Sequence, residues 1–132
     1  AAGEPLSVKQ EDIHLQGHAM ECRINAEDPA HHFRPCPGVI EAIHLPGGNG
    51  VRIDTAAYNG YEIPPFYDSM IAKVIVHGRT RQEAIDKMRS TLGELIIDGV
   101  TTNVDFQYEI LDNEDFQAGE ITTDFIPMHF NL

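Results

Sequence analysis

The eight residues from His18 to Asn25 alternate without a break: His18, Met20, Cys22 and Ile24 fall on one side, and Ala19, Glu21, Arg23 and Asn25 on the other. A period of two sends successive side chains to opposite faces of a strand, so the segment reads as a strand with one face on a core and one polar face. Whatever the chain folds into must place an apolar layer under the first set.

Strand signals continue to about residue 80. Val39 to Leu45 reads as a second strand running into Pro46-Gly47-Gly48-Asn49-Gly50, a hairpin-type turn, after which Val51 to Asp54 resumes strand character. Met70 to Val76 is the most apolar stretch and reads as a central strand. The spacing then changes. Thr80 and Glu83 form a T-x-x-E capping box, and Ile85, Met88, Leu92 and Leu95 make one apolar stripe at steps of three and four. This predicts a helix over 81–95, broken by Asp98-Gly99. A second helix is expected over 104–111 with Val104, Tyr108 and Leu111 inward, and a short one over 114–118 ending at Gly119. Antiparallel strands followed by helices imply an α+β fold.

At 132 residues the chain fits a single domain, and folding buries about two-thirds of its accessible surface. The net charge of −12, from 21 acidic and 9 basic residues, repels nucleic-acid phosphates and anionic lipid, so neither is expected as a partner. A substrate anion can still bind at a locally positive spot. Cys22 and Cys36 form no CxxC pair and are too few for a disulfide framework, so both are read as reduced. No apolar run reaches the ~20 residues of a membrane span, and no signal peptide is visible, which together suggest a cytoplasmic protein.

On the polar face of the first strand, Glu21, Arg23 and Asn25 project together at intervals of about 7 Å. A guanidinium fixed between two such neighbours can stabilise an oxyanion or bind a phosphate or carboxylate at two points. The same residues also fit a cross-strand ion pair on a half-exposed sheet. Asp68, in Tyr67-Asp68-Ser69, can orient an arginine or simply close its own turn, and Pro64-Pro65 stiffens the approach. Lys73, inside the apolar strand, must snorkel or meet a carboxylate. The seven histidines show no convincing ligand spacing, so no metal site is expected. Gly47-Gly48-Asn49-Gly50 lacks the spacing of a phosphate cradle, and there is no Gly-x-Ser-x-Gly elbow.

The run Gly17-His18-Ala19-Met20-Glu21-Cys22-Arg23-Ile24-Asn25-Ala26-Glu27-Asp28-Pro29 resembles the opening of the C-terminal domain of biotin carboxylases. Pro35-Cys36-Pro37-Gly38, Pro46-Gly47-Gly48, Val51-Arg52, Pro64 through Lys73 and Gly99-Val100-Thr101-Thr102-Asn103 agree in order, so the resemblance covers nearly the whole chain. It implies an antiparallel sheet of the barrel-sandwich hybrid, or rudiment single hybrid, type followed by packed helices. It also implies that residues 1–132 form one domain of an enzyme that uses ATP and bicarbonate to carboxylate biotin on a biotin carboxyl carrier protein.

By the same resemblance, Arg23 matches the catalytic arginine that contacts biotin and stabilises its enolate-like ureido oxygen. Asp68 and Glu21 are candidates for holding it, and Arg52 lies in the region that packs the homodimer. The ATP-grasp segments, with the ATP-binding lysines, the magnesium-binding glutamates and the general base, are expected upstream. The domain alone should then bind no cofactor and be inert. Asp98 before Gly99 resembles the biotin carboxylase of bacterial acetyl-CoA carboxylase, which works with carboxyltransferase subunits in fatty acid synthesis. Pyruvate and propionyl-CoA carboxylases tend to carry arginine there and remain alternatives, as does an autonomous dimerisation or binding module.

Overall fold

The apolar stretch beginning at Met70 is the middle strand of a three-stranded antiparallel sheet in the computed structural model, which describes residues 2–131. The elements run β1 (His18–Asn25), β2 (Glu27–Asp28), β3 (Arg34–Pro35), β4 (Ala42–His44), β5 (Val51–Thr55), β6 (Met70–Gly78), α1 (Arg81–Glu94), β7 (Ile96–Asp98), α2 (Val104–Asp112), α3 (Glu114–Ala118) and α4 (Phe125–His129). The main sheet has the order β1-β6-β5, and two small antiparallel pairs, β2·β3 and β4·β7, flank it. The fold is α+β, as the spacing implies.

One face of the sheet carries the core. Cys22, Ile24, Val74 and Val76 are buried with Ala84, Ile85, Met88 and Leu92 of α1, which packs on β6 and β1. Fully burying each such aliphatic side chain is worth roughly 1.5–3 kcal/mol. The helix starts where Thr80 Oγ1 accepts from the Glu83 amide at 3.1 Å. The return half of the capping box goes elsewhere: the Glu83 carboxylate accepts from the amide and Nε of Arg79.

Several expectations give way to long-range pairing. α1 stops at Glu94, because Ile96, Ile97 and Asp98 pair with His44, Ile43 and Ala42 as β7. Gly99 then turns the chain at φ +98°, where a Cβ would collide with the Val39 carbonyl. The Pro46–Gly50 turn closes no hairpin. It carries the chain from β4, paired to β7, across to β5, paired to β6. Val39, expected in a strand with β4, makes only an isolated bridge to Glu62. On α2 Phe106 and Leu111 are buried, and Val104 packs against the core as expected. Tyr108 lies at the surface, under the Arg89 guanidinium at 5.5 Å, while Phe106 packs edge-on against Phe33 and Phe130. Among the described residues no helix is long and apolar enough to cross a membrane.

Candidate functional site

The other face of the main sheet is a small grid of charge. In register across the strands, Arg23 stands opposite Lys73 and Lys73 opposite Asp54; one step along, Glu21, Ile75 and Arg52 form the next row. Lys73, half-buried, stands across from Asp54 in the register without forming an ion pair with it, and its charge helps to hold the Asp54 carboxyl down. Arg52 grips Asp54 with two bonds, Nε to Oδ1 at 2.8 Å and Nη2 to Oδ2 at 2.7 Å. That hydrogen bonding is the main reason the Asp54 carboxyl lies below, and the Arg52 guanidinium above, its ordinary range.

Arg23 is engaged only loosely by its neighbours. Its Nη2 approaches Asp68 Oδ2 at 4.0 Å, with the two side chains 58% and 50% exposed. A pair that open contributes about 0–1 kcal/mol, so stability does not account for an arginine here. Asp68 closes its own turn and lies near Arg23. Its Oδ1 accepts from the Met70 amide at 2.9 Å, closing the turn, and Oδ2 is left toward Arg23.

The turn is fastened to the end of β1. Ser69 Oγ donates to Glu27 Oε1 at 2.5 Å, and the Ala26 amide donates to the Ser69 carbonyl at 2.8 Å. Asn25 directs its side-chain amide to Glu27 Oε2 at 3.2 Å and not to Arg23. Glu21 shares the face with Arg23 and forms no hydrogen bond to it; its charge acts on Arg52 and Cys22. Of the two neighbours read as a fork around Arg23, neither holds it, and Asp68 supplies the anion. Phe66 and Tyr67, 96% and 88% exposed, flank that aspartate.

Asn103 is the member of the site that spacing alone did not reveal. Its Nδ2 donates to the Arg23 carbonyl at 3.1 Å and its Oδ1 accepts from the Asn25 amide at 2.9 Å. An asparagine just before a helix reads as an N-cap, and that ordinary role hides this one. The cysteines are free. Burial, with Glu21 adding, pushes the Cys22 thiol up to about 12, which keeps it neutral and unreactive. Among the described residues no three His, Cys, Asp or Glu side chains gather to hold a metal ion.

What this arrangement offers chemically is an exposed guanidinium fork on the open face of the sheet, with one carboxylate 4.0 Å away. Such a group stabilises negative charge that develops on a bound molecule.

Comparison with known proteins places the geometry in a family. The profile of the biotin carboxylase C-terminal domain matches residues 21–128. The chain is 53% identical over 126 residues to biotin carboxylase 1 of Bacillus subtilis, covering 96% of this chain and 28% of that protein. It is 54% identical over 126 residues to a pyruvate carboxylase subunit of Methanothermobacter thermautotrophicus, covering 96% and 26% respectively. Among solved structures, the biotin carboxylase domain dimer of Hydrogenobacter thermophilus 2-oxoglutarate carboxylase, in complex with MgADP, ADP and bicarbonate, superposes with a TM-score of 0.95. That match has 46% identity and covers 97% of this chain and 28% of the other. The chain therefore spans little more than a quarter of the length of these relatives, and it belongs to the biotin carboxylase C-terminal domain family.

Proposed function

We propose that this chain is the C-terminal domain, residues 1–132, of an ATP- and bicarbonate-dependent biotin carboxylase, and that Arg23 is its catalytic residue and its contact to biotin. The observation that carries the proposal is the exposed Arg23 guanidinium, 4.0 Å from Asp68 on the open face of the β1-β6-β5 sheet. As the ureido nitrogen of biotin gives its proton to the general base outside this domain, negative charge spreads to the ureido oxygen; the nitrogen lone pair then forms the new N–C bond to carbon dioxide, and one C=O pair of carbon dioxide moves onto oxygen to give the carboxylate. Arg23 donates hydrogen bonds to that oxygen as its charge grows, and it cannot lose its own proton in return. Asp68 orients the guanidinium, and Glu21 adds negative potential along the same face.

ATP and magnesium are supplied and held by the ATP-grasp parts of the enzyme, outside this domain. The described residues offer no metal-binding group, and no step is assigned to a metal here. The solved relative is a dimer, and the outward-facing Arg52, 72% exposed and stiffened by Asp54, suits a place at such an interface. The partners are then a second copy, the biotin carboxyl carrier protein and carboxyltransferase subunits, in the cytoplasm. The sheet arrangement is read as the barrel-sandwich hybrid type. Asp98 before Gly99 favours the acetyl-CoA carboxylase of fatty acid synthesis. The likeness to a pyruvate carboxylase subunit supports a keto-acid carboxylase as the second reading.

The test is steady-state biotin carboxylation by the full-length enzyme. Arg23→Ala should lower kcat by about 10²–10³-fold, the loss typical of one oxyanion donor. Wild-type kcat in that variant sinks the assignment of Arg23. Bicarbonate-dependent ATP hydrolysis by residues 1–132 alone, at the intact enzyme's rate, sinks the assignment of the remaining machinery to other segments.

A further inference from the structure

We infer that Asn103 is a positioning residue for Arg23: its side-chain amide takes the place of a neighbouring strand along the free edge of β1 and fixes the backbone from which the guanidinium projects. The inference rests on the catalytic reading of Arg23 above.

Three hydrogen bonds join Asn103 to two residues of β1. Nδ2 donates to the Arg23 carbonyl at 3.1 Å, Oδ1 accepts from the Asn25 amide at 2.9 Å, and the Asn103 amide donates to the Asn25 carbonyl at 3.2 Å. Residues two apart in a strand present their main-chain groups to the same side. For Arg23 and Asn25 that side is the open edge, because β1 is the outer strand and β6 lies on its other side. Among the described residues no strand is there to receive them, and one primary amide, with a donor and an acceptor, matches the pattern of a peptide group.

The position of these bonds matters as much as their number. The β1·β6 register shifts between Ile24 and Asn25, so the regular ladder breaks one residue past Arg23. Asn103 spans that irregularity, bonding on either side of Ile24, while Ser69 and Glu27 fasten the following residues. The asparagine is only 4% exposed, so water does not compete for its amide. It also forgoes its local alternative: standing at the N-cap of α2, it makes no side-chain cap bond to that helix. A residue type suited to starting α2 is instead committed to the strand that carries Arg23. Asp68 aims the tip of the arginine and Asn103 fixes its root.

The experiment is a double-mutant cycle in the full-length carboxylase, with kcat for biotin carboxylation measured per folded enzyme. Asn103→Ala should lower kcat by about 10- to 100-fold, the scale set by a misplacement near 1 Å, with KM for ATP unchanged. Added to Arg23→Ala, it should lower kcat by less than about 2-fold further, because two residues acting through one group do not multiply. A purely structural role for Asn103 predicts the opposite, the same factor in both backgrounds, and that result overturns the inference. So does wild-type kcat in Asn103→Ala while Arg23→Ala is impaired. Wild-type kcat in Arg23→Ala overturns the catalytic reading and this inference together. If Asn103→Ala does not fold, Asn103→Asp carries the same cycle, since it keeps the acceptor for the Asn25 amide and removes the donor to the Arg23 carbonyl.

Discussion

Arg23 on β1 and Asp68 in the turn before β6 face each other at 4.0 Å across open solvent, and Asp68 is itself held by the Met70 amide. A pair this exposed is a weak contributor to stability and a useful device for aiming. Asp68→Asn keeps an oxygen for the Met70 amide and removes the charge that faces Arg23. It should therefore leave the melting temperature within about 2 °C, since a change under 1 kcal/mol moves Tm only a few degrees in a chain of this size. In the full-length enzyme kcat should fall by about 10-fold. Equal losses of stability and rate, read by thermal melting beside kinetics, would point to a turn-closing role alone.

The Arg52–Asp54 pair makes a prediction in pH. Asp54 is held below the ordinary carboxylate range by its hydrogen bonds to Arg52, then by the charges of Arg52 and Lys73. A carboxyl whose folded pKa is depressed stabilises the fold above its unfolded pKa, and that contribution is lost as pH falls through the folded pKa. Carboxyl-carbon NMR should show Asp54 titrating below the ordinary aspartate value. Arg52→Gln should return its midpoint toward that value; an unchanged midpoint rules out Arg52 as the cause.

How much of this was legible in the sequence follows from how local each signal is. The alternation of β1 and the stripe of α1 are repeated over eight and fourteen residues, and both faces emerged as read except at their ends, where His18 is exposed and Leu95 lies just past the helix. The short α3 was legible for another local reason, a helix stop at Gly119 with φ +86°. β7 was not, because Ile96 and Ile97 suit a helix end as well as a strand, and only pairing with β4 decides. The Pro46–Gly50 segment announces a turn, but turn chemistry does not say which strands the turn joins. On α2, Tyr108 and Phe106 both offer apolar surface, and the aromatic cluster with Phe33 and Phe130 settles which turns inward. At the site, Arg23 was visible from its strand face and Asp68 was a candidate neighbour, whereas the bonds of Asn103 to β1 come from a distant segment that only the fold brings together.

Cys22 and Cys36 should differ sharply toward a thiol reagent. Cys22 is buried and its thiol is raised to about 12, so at pH 8 almost no thiolate is present. Cys36 is half-buried, with its thiol turned to the Arg34 carbonyl at 3.4 Å. A colorimetric titration of the native domain should release one equivalent of product from Cys36, and a second only after unfolding. Two fast equivalents from the folded protein contradict the burial of Cys22.

The helix that backs the site offers a last test, because it separates the sheet's support from its chemistry. Met88 is fully buried in α1, within the core it shares with Cys22, Ile24, Val74 and Val76 of the strands beneath. Met88→Ala removes that packing and leaves a cavity, at a cost of about 2–5 kcal/mol. Urea titration should show the midpoint falling with the slope unchanged, since the surface exposed on unfolding is nearly the same. Arg23, on the opposite face of β1, should still approach Asp68, so kcat per folded enzyme in the full-length protein should stay within about 3-fold of wild type, as independent sites contribute additively. A drop in kcat as large as that of Arg23→Ala would mean that the sheet does not hold its outer face rigid once α1 is loosened.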